Sequence, residues 1–417
     1  MQHIIIGAGP AGVVAAETLR KCDPAASVTI IGDEPEPPYS RMAIPYFLSD
    51  NIDEAGSYLR DPATHYSKYS IELVQERVEK VDSKAKQVTL SDSSTRNYDK
   101  LLLATGSRAI SPPIPGLDLP QVHSCWTLVD ARHIIELAKP GANVVLIGAG
   151  FIGCIILEAL VKRKIKLTVV ETGNRMVPRM LNDKAGGLLK QWCIDKGIDV
   201  HTSCSVESVK AADNGEVQVS LSDGSKLPAA LVITATGVKP NIEMLEGTDI
   251  KLDLGVLVNH SMQTSNSDVY AAGDVAQGID FSTGNFEVQA IQPTAADHGR
   301  IAALNMAGNI TEHHGTLNMN ILDTLGLISC SFGLWMGVDG GEQAELYNPG
   351  EFQYINLQFD GDCLVGASTI GKTQHIGVLR GLIESRINLG AWKERLLKDP
   401  TCIMEAYIAS TQELGYS

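Results

Sequence analysis

Long apolar runs are the first thing this chain lacks. No stretch of its 417 residues reaches the roughly 18 consecutive apolar residues of a membrane-spanning helix, so we expect no integral membrane segment. Residues 1–19 are apolar, but they carry no basic leader and open a glycine-rich loop, which is not the pattern of a secretion signal. The sequence therefore predicts a cytoplasmic protein.

Positive charge is also in short supply. The chain has 34 lysines and arginines against 49 aspartates and glutamates, which gives a formal net charge of −15. Nucleic acid binding needs a basic footprint, and anionic lipid attracts basic segments, so neither partner is expected. A small molecule or a basic redox protein fits this charge better, although the acidity also has the simpler reading of an aid to solubility.

The eight cysteines have no ligand spacing. None are separated as CxxC or as C-x4-C, so no zinc or iron–sulfur ligand set is visible. His313 and His314 are adjacent but have no further ligands near them in sequence, and we expect no metal there. Scattered cysteines without a secretion signal are typical of reduced thiols in the core of a cytosolic protein.

Two glycine-rich loops are present, and each follows an apolar run. The first reads Gly7-Ala8-Gly9-Pro10-Ala11-Gly12, and the second reads Gly148-Ala149-Gly150-Phe151-Ile152-Gly153. In such a loop the first glycine permits a tight turn, the second admits a pyrophosphate, and the third lets helix and strand pack closely. The helix that begins there stabilises the phosphate charge, so two loops predict two bound dinucleotides.

Acidic residues follow the second strand of each unit. Asp33 and Glu34 occupy this place after the first loop, and Glu171 occupies it after the second. A carboxylate accepts hydrogen bonds from ribose hydroxyls and repels a 2′-phosphate, so the second site is expected to favour NADH over NADPH. Arg175, four residues further on, could weaken this preference, but we interpret it as a solvated loop residue.

The order of elements predicts an α/β fold with two Rossmann-like three-layer dinucleotide-binding domains. Segments after residue 240 resume the first pattern, so the second domain is expected to be inserted in the first. Strands at 352–359 and 363–369 and a long helical tail at 377–411 predict a C-terminal α+β domain for dimerisation or partner docking. The proline-rich residues 112–116 predict a stiff linker. The expected boundaries are 1–112 with 241–312, 113–240, and 313–417.

Five ordered motifs resemble the two-dinucleotide-binding flavoproteins related to glutathione reductase. They are the two glycine loops and the segments LLLATG (101–106), VITATGVKP (232–240) and VYAAGD (269–274), within about residues 1–312. The resemblance implies that the first loop binds FAD and the second binds NAD(H).

The resemblance also implies the binding residues. Those implied for FAD are Gly7, Gly9, Pro10, Ala11, Gly12, Asp33, Glu34, Arg41, Ala104, Thr105, Gly106, Gly273, Asp274, Pro293, Thr294 and Ala295. Those implied for NAD are Gly148, Gly150, Phe151, Ile152, Gly153, Glu171, Thr236 and Gly237.

Three of these FAD residues have specific implied roles. Asp274 would contact the ribityl or phosphate region, with a turn aspartate or a helix cap as the alternative. Pro293 would lie at the start of a helix whose positive N-terminus stabilises a reduced anionic flavin. The alternative is an ordinary helix that begins with proline and has no role in flavin binding. Arg41, in the segment PYSRMAIPYFLSD (38–50), resembles the pyrophosphate-binding arginine of ferredoxin reductases, rubredoxin reductases and NADH oxidases, with a surface salt bridge as the alternative.

The chain departs from the family at the positions that carry thiol chemistry. It has no C-x4-C pair, and Met42 stands where thiol-using relatives have a cysteine. A thioether cannot act as a thiolate, so redox-active cysteines are not expected. Ile155 replaces a glutamate that often pairs with a lysine near the flavin, and residues 40–60 contain no lysine. Glu158, on the same helix, is interpreted as a solvent-exposed residue or as one partner of a side-chain pair along that helix, and no catalytic side chain is assigned.

The implied function is hydride transfer between NADH and FAD, coupled to an external electron carrier or a small-molecule acceptor. Rubredoxin, ferredoxin and cytochromes are the carriers that the resemblance suggests, and the direction of electron flow is open. An NADH oxidase that reduces oxygen is the second interpretation, and a flavin-dependent signalling or scaffold protein is the third. A homodimer is also considered.

Overall fold

The computed structural model describes residues 1–213 and 215–414, and the chain divides into two compact units. Unit 1 comprises Met1–Ile110 and Val238–Thr316, and unit 2 comprises Ser111–Gly237 and Leu317–Ser417. The last three residues of the predicted 313–417 domain lie outside the described residues. Within those residues, no helix is both long enough and apolar enough to span a membrane.

The elements follow in chain order. The first segment contains β1 (Gln2–Ile6), α1 (Pro10–Cys22), β2 (Ser27–Gly32), α2 (Ile44–Leu48), α3 (His65–Lys68), β3 (Ile71–Gln75), β4 (Val78–Asp82), β5 (Gln87–Leu90), β6 (Thr95–Asn97), β7 (Lys100–Leu103) and β8 (Ser107–Ala109). The second contains β9 (Val122–Ser124), α4 (Leu128–Leu137), β10 (Asn143–Ile147), α5 (Phe151–Lys162), β11 (Lys166–Val170), α6 (Asp183–Asp195), β12 (Asp199–His201), β13 (Val206–Ala211), β14 (Val217–Leu221), β15 (Lys226–Ala229) and β16 (Leu231–Thr234).

The second half of the chain continues this numbering. It contains β17 (Val238–Pro240), β18 (Val256–Leu257), β19 (Val269–Ala271), β20 (Ala276–Ile279), β21 (Phe286–Val288) and α7 (Gln292–Met306) in unit 1. In unit 2 it contains β22 (Met319–Thr324), β23 (Leu327–Gly333), β24 (Glu342–Asn348), β25 (Gln353–Asp360), β26 (Cys363–Ile370), α8 (Ile376–Ser385), α9 (Ala391–Lys398) and α10 (Ile403–Leu414).

Unit 1 is built on a parallel sheet of five strands in the order β19-β7-β1-β2-β3. The central strands are buried apolar runs, as expected for a parallel sheet covered on both faces. Because β19 pairs with β7, residues after 238 complete the sheet that residues 1–110 begin, which confirms the predicted insertion. A separate small antiparallel sheet, β4-β5-β6, follows β3 in the chain.

Unit 2 repeats this pattern with a five-stranded parallel sheet in the order β12-β11-β10-β16-β9. The predicted linker at 112–116 packs against the neighbouring small sheet β13-β14-β15. The Val209 amide donates to the Pro115 carbonyl at 2.9 Å, and Ile114 packs against the same buried cluster. The proline segment therefore begins unit 2, directly after the boundary at Ile110, and is held against this sheet.

The C-terminal part of unit 2 is an antiparallel sheet in the order β22-β23-β26-β25-β24, followed by helices. The α+β prediction and both predicted strands are confirmed to within one residue. The single long helix is wrong, because the tail forms α8, α9 and α10. Arg386 and Gly390 have φ values of +51° and +50°, which end α8 and precede α9, and Pro400 lies between α9 and α10.

Candidate functional site

The first glycine loop joins β1 to α1 in a turn that only glycine can make. Gly7 has a φ of +115°, and a Cβ at this position would overlap the carbonyl oxygen of Ala104. A Cβ on Gly12 would overlap the carbonyl oxygen of Gly7. By contrast, no atom of the described residues lies within 4 Å of a Cβ built on Gly9. The open side at Gly9, next to the helix N-terminus, fits a pyrophosphate.

The predicted ATG segment lies beside this loop. The Ala104 amide donates to the Ile6 carbonyl at 2.8 Å, so the end of β7 is fixed against the end of β1. Thr105 and Asn241 exchange two hydrogen bonds, from Thr105 Oγ1 at 2.8 Å and from Asn241 Nδ2 at 2.9 Å. These contacts confirm that the carboxyl ends of two parallel strands meet at the loop, where nucleotides bind in such sheets.

Two of the predicted FAD residues are paired with each other. Arg41 Nη2 lies 2.7 Å from Glu34 Oε1, and the Tyr39 hydroxyl donates to the other Glu34 oxygen at 2.5 Å. Arg41 also donates to the Ser107 carbonyl at 3.5 Å. Asp33 is exposed. The salt bridge named as the alternative for Arg41 is therefore present, and it also positions the Glu34 carboxylate that was predicted to contact a ribose.

Asp274 lies in a short helical turn at Gly273–Val275 and accepts a hydrogen bond from Ser107 Oγ at 2.7 Å. Burial raises the pKa of the Asp274 carboxyl, while the Ser107 hydrogen bond and the Arg41 charge act in the opposite direction. Ser107 was not among the predicted site residues. Its signal was available, since Ser107 directly follows the predicted Thr105-Gly106 pair.

Helix α7 begins where the sequence predicted, with Pro293 in its first turn and with Thr294 and Ala295 buried. Gly299 was not predicted as a site residue, yet a Cβ there would overlap the Ala11 carbonyl oxygen. The two helices therefore pack closely because Gly299 has no side chain. This contact fixes the start of α7 relative to the first glycine loop.

The second glycine loop joins β10 to α5 with the same local geometry. Gly148 has a φ of +100°, and its Cβ would lie 2.6 Å from the Ala235 carbonyl oxygen. A Cβ on Gly153 would overlap the Gly148 carbonyl oxygen, whereas one on Gly150 meets no atom of the described residues within 4 Å. Phe151 and Ile152 form the first turn of α5, and Thr236 and Gly237 follow β16. This loop fits a second dinucleotide.

Glu171 directly follows β11 and is 8% exposed. Its Oε2 accepts from the Ala149 amide at 2.7 Å, and its Oε1 accepts from the Gly173 amide at 2.7 Å. The Thr172 hydroxyl also donates to Oε1, at 3.2 Å. These donors hold the carboxylate in place, and Oε2, which accepts one hydrogen bond, has a further lone pair for a ribose hydroxyl.

Arg175 is not the solvated residue that the sequence analysis expected. Its Nε donates to the Leu181 carbonyl at 2.7 Å, its Nη1 lies 2.7 Å from Asp183 Oδ1, and its Nη2 donates to the Pro178 carbonyl at 3.2 Å. The loop folds back around the guanidinium, so the prediction was wrong. Arg175 stabilises its own loop, and its donors are committed there.

The thiols are poorly suited to redox chemistry. All eight cysteines are free, and five of them are buried. Burial raises the pKa of the Cys125 and Cys193 thiols to about 12, and that of Cys330 to about 11. Cys22 is exposed, which corrects the expectation that the thiols are all in the core. Protonated thiols are weak nucleophiles, so the described thiols with raised pKa values are unreactive.

Met42 and Glu158 both lie near the surface. Met42, at the position of the relatives' cysteine, is 44% exposed. Glu158 forms an ion pair with Lys162 one turn along α5 at 2.8 Å, which confirms the helix-pair interpretation. In the described part of the chain, no group of three or more histidines, cysteines, aspartates or glutamates could hold a metal ion.

Comparison with known proteins identifies a family, one relative that matches over nearly its whole length and one that matches over about three quarters. Residues 1–298 match the model of the family described as pyridine nucleotide-disulphide oxidoreductase. The chain is 28% identical over 413 residues to the NADH-dependent phenylglyoxylate dehydrogenase subunit epsilon of Aromatoleum evansii, with 98% of each chain covered. It is 32% identical over 316 residues to the rhodocoxin reductase of Rhodococcus erythropolis, which covers 75% of this chain and 74% of that protein.

A solved structure shows the same fold over nearly the whole chain. It is a putidaredoxin reductase in its covalent complex with putidaredoxin, with a TM-score of 0.90 and 24% sequence identity. The match covers 98% of this chain and 99% of that one. The likeness supports the fold of two Rossmann-like domains followed by a C-terminal α+β domain.

Proposed function

Since the chain belongs to the pyridine nucleotide-disulphide oxidoreductase family, we propose that it passes electrons between NAD(H) and an external redox partner without a redox-active disulfide. It is an oxidoreductase that uses FAD and NAD(H). The flavin supplies the change between hydride and single-electron transfer, and the protein supplies binding, orientation and electrostatics.

The residues divide between the two cofactors by unit. We assign FAD to the first loop, with Asp274, Ser107 and the Glu34–Arg41 pair as its polar contacts, and NAD(H) to the second loop with Glu171. The N-terminus of α7 contributes positive potential beside unit 1's loop, which favours an anionic reduced flavin. In this proposal, the side chains bind and orient the cofactors, and none of them forms a bond with the substrate.

One observation carries the proposal. Each glycine loop has open space at its second glycine, and the family resemblance implies that Met42 stands where thiol-using relatives have their nucleophile. The sequence has no C-x4-C pair, so the proposal includes no disulfide that would take the electron pair from the flavin. The electrons must therefore leave FAD directly, either to a carrier or to oxygen.

We propose a small electron-carrier protein as the partner, supported by the similarity to a rhodocoxin reductase. The test is anaerobic stopped-flow mixing of the NADH-reduced protein with rubredoxin, ferredoxin or cytochrome c, each in a separate experiment. We expect at least one carrier to reoxidise the flavin more than tenfold faster than air-saturated buffer does. Faster reoxidation by oxygen than by every carrier would contradict the proposal and establish an NADH oxidase.

A second candidate is an NADH-reactive subunit of a larger oxidoreductase. The observation that favours it is the end-to-end similarity to a subunit epsilon, which includes the C-terminal part of unit 2. If this candidate is correct, the isolated chain reduces artificial dyes with NADH but reduces none of the free carriers. Rapid reduction of a free carrier by the isolated chain would contradict it.

The domain assignment and the assembly are part of the same proposal. We assign FAD binding to 1–112 with 241–312, NAD binding to 113–240, and dimerisation or partner docking to 313–417, in a cytoplasmic protein. Light scattering should give twice the chain mass of 44.7 kDa for a homodimer. A monomer mass at all concentrations would contradict the dimer and would leave the cofactor assignment intact.

A further inference from the structure

Val177 has a backbone conformation that is costly for its residue type. Its φ is +44°, in the left-handed region, and its side chain is only 2% exposed. A β-branched residue rarely adopts this conformation, since its Cβ substituents crowd the following carbonyl group. Such strain persists only where the surrounding structure holds it, and it concentrates at functional sites.

The contacts that hold Val177 lead to the second glycine loop. The Val177 amide donates to the Ala149 carbonyl at 2.8 Å, and the Ala149 amide donates to Glu171 at 2.7 Å. Ala149 lies between Gly148 and Gly150. Both backbone polar groups of this residue are therefore bonded to the segment 171–181, which we call the arm.

The arm is also fixed on its other side. The amides of Met180 and Leu181 donate to the Val177 carbonyl at 2.9 and 3.0 Å. Helix α6 packs directly behind the arm at Gly186, where a Cβ would lie 2.7 Å from the Met176 carbonyl oxygen. Together with the Arg175 hydrogen bonds, these contacts leave the arm little room to move away from the loop.

The first glycine loop is held differently. In the described residues, no hydrogen bond connects Ala8 to the segment that follows β2, and Glu34 pairs with Arg41 instead. A flavin stays bound through many turnovers, whereas the nicotinamide cofactor must leave after each one. The second loop is therefore empty for part of every catalytic cycle. During that time, contacts within the protein must maintain the loop conformation that binds the nucleotide.

We propose that the arm holds the nucleotide-free second loop in its binding conformation, and that Val177 is a positioning residue for NAD(H). The proposal rests on the assignment of the second loop to NAD(H). It predicts that loosening the arm lowers the affinity for the nucleotide. FAD binding and the rate of flavin reduction at saturating NADH should stay the same.

Adjacent glycines of α6 give a matched test. In Gly186→Ala the new methyl group presses against the arm, while in Gly187→Ala it meets no described atom within 4 Å. With the FAD-loaded protein, we expect Gly186→Ala to raise the Kd for NAD+ in calorimetry at least tenfold, and Gly187→Ala to change it less than twofold. Hydrogen exchange of residues 148–153 in the nucleotide-free protein should be faster only in Gly186→Ala.

A second pair covers the case in which Gly186→Ala does not fold. Val177→Ala removes two methyl groups from a side chain of the arm that is 2% exposed, and Val219→Ala removes two from a similarly buried valine in β14. We expect only Val177→Ala to raise the Kd for NAD+ and to speed exchange at 148–153. Equal effects in both variants, or no effect in Val177→Ala, would overturn the proposal.

NAD+ binding by the wild-type protein distinguishes a failure of this inference from a failure of the proposed function. If the wild-type protein does not bind NAD+, the cofactor assignment fails. If it binds NAD+ normally and the arm variants bind it equally well, only the role of the arm fails.

Discussion

The Glu171 carboxylate accepts a hydrogen bond from the Ala149 amide at 2.7 Å, which joins the end of β11 to the middle of the second glycine loop. Glu171, which we assign to the ribose, and the second glycine loop, which we assign to the phosphates, are therefore connected by a direct hydrogen bond. A change at Glu171 should therefore affect both the choice of cofactor and its affinity.

We predict that NADH is preferred to NADPH and that the charge of Glu171 is the reason. In Glu171→Gln the side chain keeps an oxygen acceptor but loses the charge that repels a 2′-phosphate. We expect the ratio of kcat/KM for NADH to that for NADPH to fall at least tenfold, about 1.4 kcal/mol. Flavin reduction would be followed with both cofactors. Equal kcat/KM values in the wild type, or an unchanged ratio in Glu171→Gln and Glu171→Ala, would contradict this explanation.

Arg175 should not set this preference, because its donors are used within its own loop. We predict that Arg175→Ala weakens NADH and NADPH together and changes their ratio less than twofold. The same flavin-reduction assay measures both values. A selective loss of NADPH activity would show that the guanidinium reaches a 2′-phosphate after all.

The purified protein should be yellow and hold one non-covalent FAD per chain. Ser107→Ala removes the hydrogen bond that positions the Asp274 carboxylate, and the loss of a hydrogen bond to a buried charged group costs about 1–3 kcal/mol. The Kd for FAD should therefore rise by about five- to more than a hundredfold, as measured by fluorescence on reconstitution, with the exposed Ser67→Ala as a control. Release of FMN instead of FAD on heating would refute the site.

His298 should make the stability fall in mild acid. It is 4% exposed, and burial, with the neighbouring His313 adding to the effect, lowers its pKa to about 3. Below pH 6.5, the ordinary pKa of histidine, His298 is protonated in the unfolded chain but stays neutral in the folded protein. The free energy of unfolding therefore decreases as the pH falls from 6.5 toward 3. The slope from this one residue is at most about 1.4 kcal/mol per pH unit.

The variant His298→Gln isolates this contribution. Between pH 6.5 and pH 5, the wild type should lose up to about 2 kcal/mol more than the variant, measured as the difference between their urea unfolding curves. Parallel losses in both proteins would show that His298 is protonated in the folded state.

The sequence was informative where a motif depends on the backbone of a few adjacent residues. Gly7 and Gly148 could be predicted because a strand, a tight turn and a helix in close contact exclude every other residue type. Asp274, the start of α7 and the departure at Met42 were predicted instead from the resemblance to the flavoprotein family.

The residues that were missed depend on packing between segments distant in sequence. Nothing near Gly299 shows that its missing side chain admits α1, and nothing near Val177 shows that its amide faces Ala149. Arg175 was misjudged for the same reason, since an arginine in a polar loop is usually solvated. The tail at 377–411 was predicted as one helix, whereas the backbone at Arg386 and Gly390 and the proline at position 400 divide it into three.

The reductive titration of the purified protein tests the central claim most directly. Stepwise anaerobic addition of NADH or dithionite should reach its endpoint at about two electrons per FAD, because the flavin is the only group that stores them. No absorbance band from a thiolate next to the flavin should form. A reproducible endpoint near four electrons, with such a band, would show that distant cysteines form a redox disulfide and would contradict direct electron transfer from the flavin.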